Sequence, residues 1–331
     1  MTAQTATIEG YRGVRTLVLG ASGFLGGWVA RLLSASQADL VLAARDTERA
    51  ARLRGECGIT GEIVAFDAEH FDRTSALIRE VRPLVTFNLA GYGIDHAESD
   101  ARAARRINSE FPGALCEALS ATVNSSWGGA HLVHVGSGAE YGRVGGHLEE
   151  DGPVNPLSLY ASTKLAGTRA ALRRGAACDV RVVVARPFTV YGAGEHAGRL
   201  LPTLLEAALC GKTASLSAGT QSRDFVYVED VAAALLLLGL SACPRDERIV
   251  NIATGRLTTV REFAERAAGA LGMGLDQLRF DRVPMRSDEM PHEEVSVERL
   301  RRRIGWVPAT PIETGVARTR EPAQEPAVEL V

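Results

Sequence analysis

The sequence has no Cys-x-x-Cys pair, no internal repeat, no strong excess of either charge and no apolar run approaching the ~20 residues that cross a bilayer. Its five cysteines, Cys57, Cys116, Cys178, Cys210 and Cys243, are odd in number and scattered. That pattern argues against a disulfide framework or a zinc site, and they read as reduced thiols. A formal net charge of −3 and a pI near 6.2 give no general attraction for nucleic acid or an anionic membrane. The opening MTAQTATIEG lacks the basic region and apolar run of an export signal, and the most apolar stretch, Val231 to Leu240, is far short of a membrane span. These absences leave a cytoplasmic protein with a small-molecule partner as the expectation, with no nucleic acid, membrane or metal. What is present is core material. The 331 residues are 46% hydrophobic and 23% charged, enough for one large α/β unit or two intimately joined ones.

The organising stretch is Gly20-Ala21-Ser22-Gly23-Phe24-Leu25-Gly26, reached directly from an apolar run, Val14 to Leu19, broken only by Arg15 and Thr16. A buried strand ends there and a helix begins. Glycines at that junction permit a sharp turn, a close approach to pyrophosphate and tight helix–strand packing, and the N–H groups of the helix N-terminus face the phosphates. Gly20, Ser22, Gly23, Phe24 and Leu25 are therefore candidate cofactor-binding residues. The spacing is GxxGxxG rather than GxGxxG, and glycine-rich turns also end ordinary strands. Downstream, strand-like and helix-like patterns alternate through residue 186, predicting a parallel sheet. The expected fold class is α/β, a Rossmann-type doubly wound parallel sheet with a smaller C-terminal lobe over the carboxyl edge of its strands. The expected organisation is a loose leader (1–13), a dinucleotide-binding domain (14–190), a substrate lobe interleaved with it (191–317) and a disordered tail (318–331).

About 20 residues past the last motif glycine, where a ribose-binding acid commonly stands, the chain reads Ala43-Ala44-Arg45-Asp46. A guanidinium there suits the 2′-phosphate of NADP, which makes NADP the favoured cofactor; Asp46 on the ribose would make it NAD instead. Asp67 follows the next strand and either accepts from the adenine amino group or caps a turn. Tyr160 and Lys164 stand four apart on one helical face. Ser137 ends the strand His131 to Val135 in the string GSGAEYG. An ammonium beside a phenol lowers the phenol's pKa, the phenol exchanges a proton with a substrate oxygen, and the serine hydroxyl holds that oxygen. With a nicotinamide bound, these three are candidate catalytic residues for hydride chemistry at a carbon–oxygen bond.

In this order and spacing the glycine motif, the serine strand end and the YxxxK helix resemble the extended short-chain dehydrogenase/reductase family that acts on nucleotide sugars. Asn88-Leu89-Ala90-Gly91 resembles the family's cofactor-lining segment, Asn108 its helix asparagine and Arg186-Pro187-Phe188-Thr189-Val190-Tyr191-Gly192 its RPxNVYG stretch, with Thr189 in place of the usual Asn. The stretch Arg223 to Val231 is similar to its RDFxYVxDV signature. The resemblance thus implies cofactor contacts at Leu89, Ala90, Gly91, Asn108, Lys164 and Pro187. It implies substrate contacts at Ser137, Gly138, Tyr160, Arg223 and Arg286, with Arg199 a further candidate that otherwise faces solvent. The implied partner is a nucleotide-diphosphate sugar. The implied assembly is a homodimer through the helix after the fourth strand and the YxxxK helix, where Ala161, Ala166 and Ala170 permit close packing. Family members that dehydrate such sugars carry Asp-Glu after the strand-end hydroxyl; here Gly138-Ala139 stand there, with no carboxylate for the elimination. The pattern most resembles nucleotide-linked 4-keto-6-deoxysugar reductases using NADPH. A 4-epimerase with tightly bound NAD is the alternative, and a non-catalytic NADP-sensing protein a third.

Overall fold

The computed structural model describes residues 9–93, 98–285 and 293–320. Seven strands form one parallel sheet: β1 (Arg15–Leu19), β2 (Asp39–Ala44), β3 (Glu62–Ala65), β4 (Val85–Asn88), β5 (Leu132–Val135), β6 (Val182–Pro187) and β7 (Ile249–Ile252), in the order β7-β6-β5-β4-β1-β2-β3. Sequence order reverses direction between β1 and β4, which is where open α/β sheets leave a ligand crevice.

Side chains alternate across this sheet, and both faces are covered, so the strands read as nearly continuous apolar runs. Val18, Val133, Val183 and Ala185 face one core, which includes residues of the Phe24–Ala35 and Val228–Leu240 helices. Leu17, Leu19, Leu132, Val182 and Val184 face the other, beneath the Thr74–Val81, Phe111–Leu119 and Leu159–Ala177 helices. A third core, built around Tyr191, Phe225, Tyr227 and Phe263, belongs to the C-terminal part. Because β7 and the Val228–Leu240 helix also come from that part, the C-terminal half completes the main sheet and one of its faces.

Several expectations need correcting. The leader is not loose throughout: Tyr11 is fully buried and its hydroxyl donates to the Leu236 carbonyl at 2.7 Å. Its ring also lies 6.1 Å from that of Phe87, so this segment closes the end of a core that the sheet alone leaves open. The tail begins later than residue 318, because the Ile312–Arg320 helix continues through it and buries Ile312 and Val316 in the third core. The remainder of the tail, 321–331, lies outside the described residues, as does Arg286. The helical stretch from 101 to 119 is α-helical at Ala101–Ala104, widens to a π-helix at Arg105–Glu110 and resumes as α-helix at Phe111–Leu119. Two helices, Thr47–Glu56 and Ile312–Arg320, were not visible in the apolar pattern; the first buries only Ala50.

Tyr11→Ala should lower unfolding free energy by about 3–5 kcal/mol, the range for deleting a buried aromatic ring, as measured by urea unfolding; an unchanged midpoint would mean the segment is not anchored.

Candidate active site

The glycine motif forms a turn that side chains could not enter. Gly20 has φ +80°, and a Cβ there would stand 2.8 Å from the Ala90 nitrogen. A Cβ on Gly26 would stand 2.1 Å from the Gly20 carbonyl oxygen. The β1 turn and the segment after β4 are thereby pressed together, with the Leu89 N–H donating to the Leu19 carbonyl at 3.0 Å. Gly23 is the N-cap of the Phe24–Ala35 helix, no side chain caps it, and its first turn carries no acidic residue. Uncapped N–H groups at the positive end of a twelve-residue helix suit an anion. The residues present therefore fit a dinucleotide pyrophosphate at Gly20 to Leu25.

Around this cradle the structure separates the expected contacts into two kinds. Arg45 is exposed just beyond β2 and makes no ion pair among the described residues. Asp46 beside it caps the following helix, accepting from the Arg49 N–H at 2.8 Å. Asp67 is likewise a cap, accepting from the Glu69 N–H at 2.9 Å. Asn108, on the π-helical turn, donates to the Tyr92 carbonyl (2.8 Å) and to Thr163 Oγ1 (3.0 Å) and accepts from the Tyr92 N–H (3.0 Å). Its carboxamide thus ties the Gly91-Tyr92 loop to the Leu159–Ala177 helix.

Ser137, at the carboxyl end of β5, accepts from the Ala139 N–H and begins a capping box in which its own N–H donates to the Glu140 carboxylate. Tyr160 and Lys164 lie in the first turns of the Leu159–Ala177 helix, capped by Ser158. The Ser137 side chain lies close enough to the Tyr160 phenol to act on its proton affinity. Burial raises the Tyr160 phenol above its ordinary value; Ser137 and the charge of Arg199 pull it down, while Glu140 and Glu98 push it up. Lys164 is buried, donates to the Val135 carbonyl at 2.7 Å, and is drawn down to about 8 by burial, with Glu140 opposing. The Lys164 ammonium is thereby held at the end of β5. Below Lys164, His134 is buried 3.1 Å from the Asn88 carboxamide, and burial together with the lysine keeps it neutral.

The residues missed by sequence reasoning are carboxylates. Glu140 is fully buried: Oε1 accepts from the Ser137 N–H and from Thr168 Oγ1, each at 2.9 Å, and Oε2 pairs with Arg186 Nε at 2.9 Å. The string Ser137-x-x-Glu140 is itself a capping-box signal and could have found it. Glu195 pairs with Arg199 at 3.3 Å and is pushed up to about 7 by burial, against the pull of that arginine. Glu98 accepts from the Gly93 N–H at 2.7 Å.

Arg199 is the N-cap residue of the Leu200–Cys210 helix, so the structure brings it toward Tyr160. Arg223 lies on the short strand Ser222–Arg223, which pairs antiparallel with Thr258–Thr259. The two aspartates of the adjoining motif are clamps. Asp224 accepts from the backbone of Thr254, Gly255 and Arg256 and from the Thr254 hydroxyl. Asp230 accepts from the Ala309 and Thr310 N–H groups and the Thr310 hydroxyl. Gly138 packs on Phe188, whose neighbour Pro187 ends β6. Despite Thr189 at the usual Asn position, its N–H donates to the Asp224 carbonyl at 2.9 Å and the parallel ladder with Phe225 forms. Of the three alanines, Ala161 is buried, Ala170 lies against Gly113 of the neighbouring helix and Ala166 is exposed.

A family model described as the NAD dependent epimerase/dehydratase family matches residues 16–253. Among curated proteins, the UDP-glucose 4-epimerase of Mycolicibacterium smegmatis is 31% identical over 318 residues, covering 93% of this chain and 98% of its own. The dTDP-6-deoxy-L-talose 4-dehydrogenase (NAD(P)(+)) of Kitasatospora kifunensis is 30% identical over 308 residues, covering 89% and 91%. Among solved structures, the UDP-glucose 4-epimerase of Thermus thermophilus in complex with NAD superposes with a TM-score of 0.78 at 25% identity, covering 92% of this chain and 97% of that one.

Asp224→Ala should cost on the order of 3 kcal/mol, since three backbone donors lose their acceptor, and should speed hydrogen exchange at the amides of Thr254, Gly255 and Arg256; unchanged protection there would show that the loop holds itself.

Proposed function

The chain belongs to the NAD-dependent epimerase/dehydratase family, and from that premise we propose that it reduces the C4 ketone of a nucleotide-linked 4-keto-6-deoxysugar with NADPH. The observation that carries this reading is the convergence, at the carboxyl end of β5, of the turn that begins at Ser137 with the helix that carries Tyr160 and Lys164, joined by the bond from Lys164 to the Val135 carbonyl, together with a glycine cradle suited to a dinucleotide. A bound nicotinamide supplies hydride at the sugar carbon. The chain's own residues do the rest. Ser137 donates to the C4 oxygen and holds it in place. Tyr160, kept protonated by burial, gives that oxygen its proton. Lys164, held by the Val135 carbonyl, supplies positive charge beneath the site and a donor for the nicotinamide ribose.

The preference for NADP rests on Arg45, exposed and without an ion pair among the described residues, while the carboxylate of Asp46 is engaged as a helix cap. Gly20, Ser22, Gly23, Phe24 and Leu25 would hold the pyrophosphate, with Leu89, Ala90, Gly91 and Pro187 lining the cofactor. Arg199 and Arg223, with Arg286 from outside the described residues, would meet the diphosphate of the sugar nucleotide. Guanidinium forks match paired phosphate oxygens. Gly138 and Ala139 offer no carboxylate for dehydration of the sugar. A 4-epimerase with tightly bound NAD is the second reading, favoured by the 31% identical M. smegmatis relative. The 4-dehydrogenase relative, at nearly equal identity, favours the first. A homodimer in the cytoplasm is part of the proposal.

Identifying the dinucleotide released from denatured protein, then titrating the emptied protein with NADPH and NADH, separates the two readings. Exchangeable NADPH, bound about tenfold or more weakly by Arg45→Asp, is the expected result; stoichiometric NAD retained through purification would favour the epimerase. Tyr160→Phe should lower kcat by about 10²–10⁴-fold with cofactor affinity retained, and turnover that survives the change would sink the catalytic assignment. If the charged form of Lys164 is the active one, it predominates below about 8, so kcat/KM should fall as pH rises through that value.

A further inference from the structure

Glu140 is the point where three elements of the site meet. Its Oε1 accepts from the Ser137 N–H at the end of β5 and from Thr168 on the Leu159–Ala177 helix, one turn beyond Lys164, while Oε2 accepts from Arg186 on β6. The surrounding space is full: a Cβ on Gly136 would stand 2.5 Å from Oε1. The Ser137 turn is thereby held to the helix that carries Tyr160 and Lys164.

The same carboxylate is bound one turn along the helix from the lysine, and its charge opposes the effect of burial on the ammonium. The charged and titratable groups near Lys164 are His134 from β5, which is neutral, Glu140, Arg186 bound to that carboxylate, and Tyr160 one turn before the lysine on the same helix, which keeps its proton. Among the described residues Glu140 is the carboxylate acting on Lys164, and Arg186 is bound to its other oxygen. An ammonium buried with a single carbonyl partner is costly to keep charged, and a nearby anion offsets that cost. We infer that Glu140 is the positioning residue of this site: one oxygen fixes the Ser137 turn against the helix, and the charge of the carboxylate holds Lys164 in its ammonium form. The inference rests on the reading of Ser137, Tyr160 and Lys164 as the reacting set.

The chain contains only two lysines, Lys164 and Lys212. Lysine labelled with 13C at Cε therefore gives two side-chain signals, and Lys212→Arg identifies that of Lys164 in the full-length protein. The wild-type Lys164 signal should titrate near 8. In Glu140→Gln it should titrate about one unit lower, a tenfold loss of proton affinity. The upper limb of kcat/KM should move down with it. Glu140→Gln/Arg186→Gln removes both buried charges together and serves if the single variant does not fold; its midpoint should also fall, but by less than in Glu140→Gln, because the repulsion from Arg186 is lost with the attraction of Glu140. Thr168→Val, which deletes a donor without changing charge, should leave the midpoint in place. A Lys164 midpoint that does not move in a folded Glu140 variant overturns the inference, since a merely structural role lowers Tm alone. A wild-type midpoint below neutrality overturns it as well. Because the titration needs neither substrate nor cofactor, a shifted lysine in a protein that turns over no nucleotide sugar would reject the proposed reaction and leave the positioning role standing.

Discussion

Glu140 and Arg186 meet at 2.9 Å with neither side chain reaching water, and the guanidinium also lies 4.7 Å from the centre of the Tyr141 ring. Removing one partner of such a buried pair typically costs about 3–5 kcal/mol, because the other is left charged and unpaired. Here the pair does more than add stability. Glu140 binds the turn that presents Ser137, Thr168 brings the helix of Tyr160 and Lys164 to it, and Arg186 ties it to the strand ending in Pro187. Phe188, the next residue, packs on Gly138 and stacks with Tyr141. The candidate reacting groups therefore stand on a polar centre that no single element could form.

The rest of the molecule uses its carboxylates in a related way. Asp224 and Asp230, in a motif that also carries Arg223, clamp the loops at 254–256 and 309–310 rather than facing outward. Asp46 and Asp67 cap the segments that follow β2 and β3. An N–H group left unpaired in a buried loop or at a helix start is expensive, and a short acid is an efficient acceptor for it. These four aspartates are thus occupied by the backbone.

The alternation of apolar strands and helices, the glycine turn and the YxxxK spacing were legible in the sequence because each is a local property. A strand buried on both faces must be apolar throughout, a turn with φ +80° at Gly20 suits glycine, and residues four apart share a helix face. Ser137 could be placed at a strand end for the same reason. The family resemblance drawn from those motifs agrees with the family model over residues 16–253.

Tertiary structure decided where each polar group points. Asn108 turned out to hold the Tyr92 loop, Tyr11 to close a core, and Lys164 to donate to the Val135 carbonyl. Arg199, thirty-nine positions from Tyr160 in the chain, is brought near enough to influence it. Hydrogen bonds and charges act through space over a few ångströms, whereas sequence patterns report spacing along one element. The one-dimensional pattern therefore determined the sheet, the cradle and the identity of the candidate reacting residues. Which of their neighbours would hold, charge or neutralise them depended on strands and helices that meet only after folding.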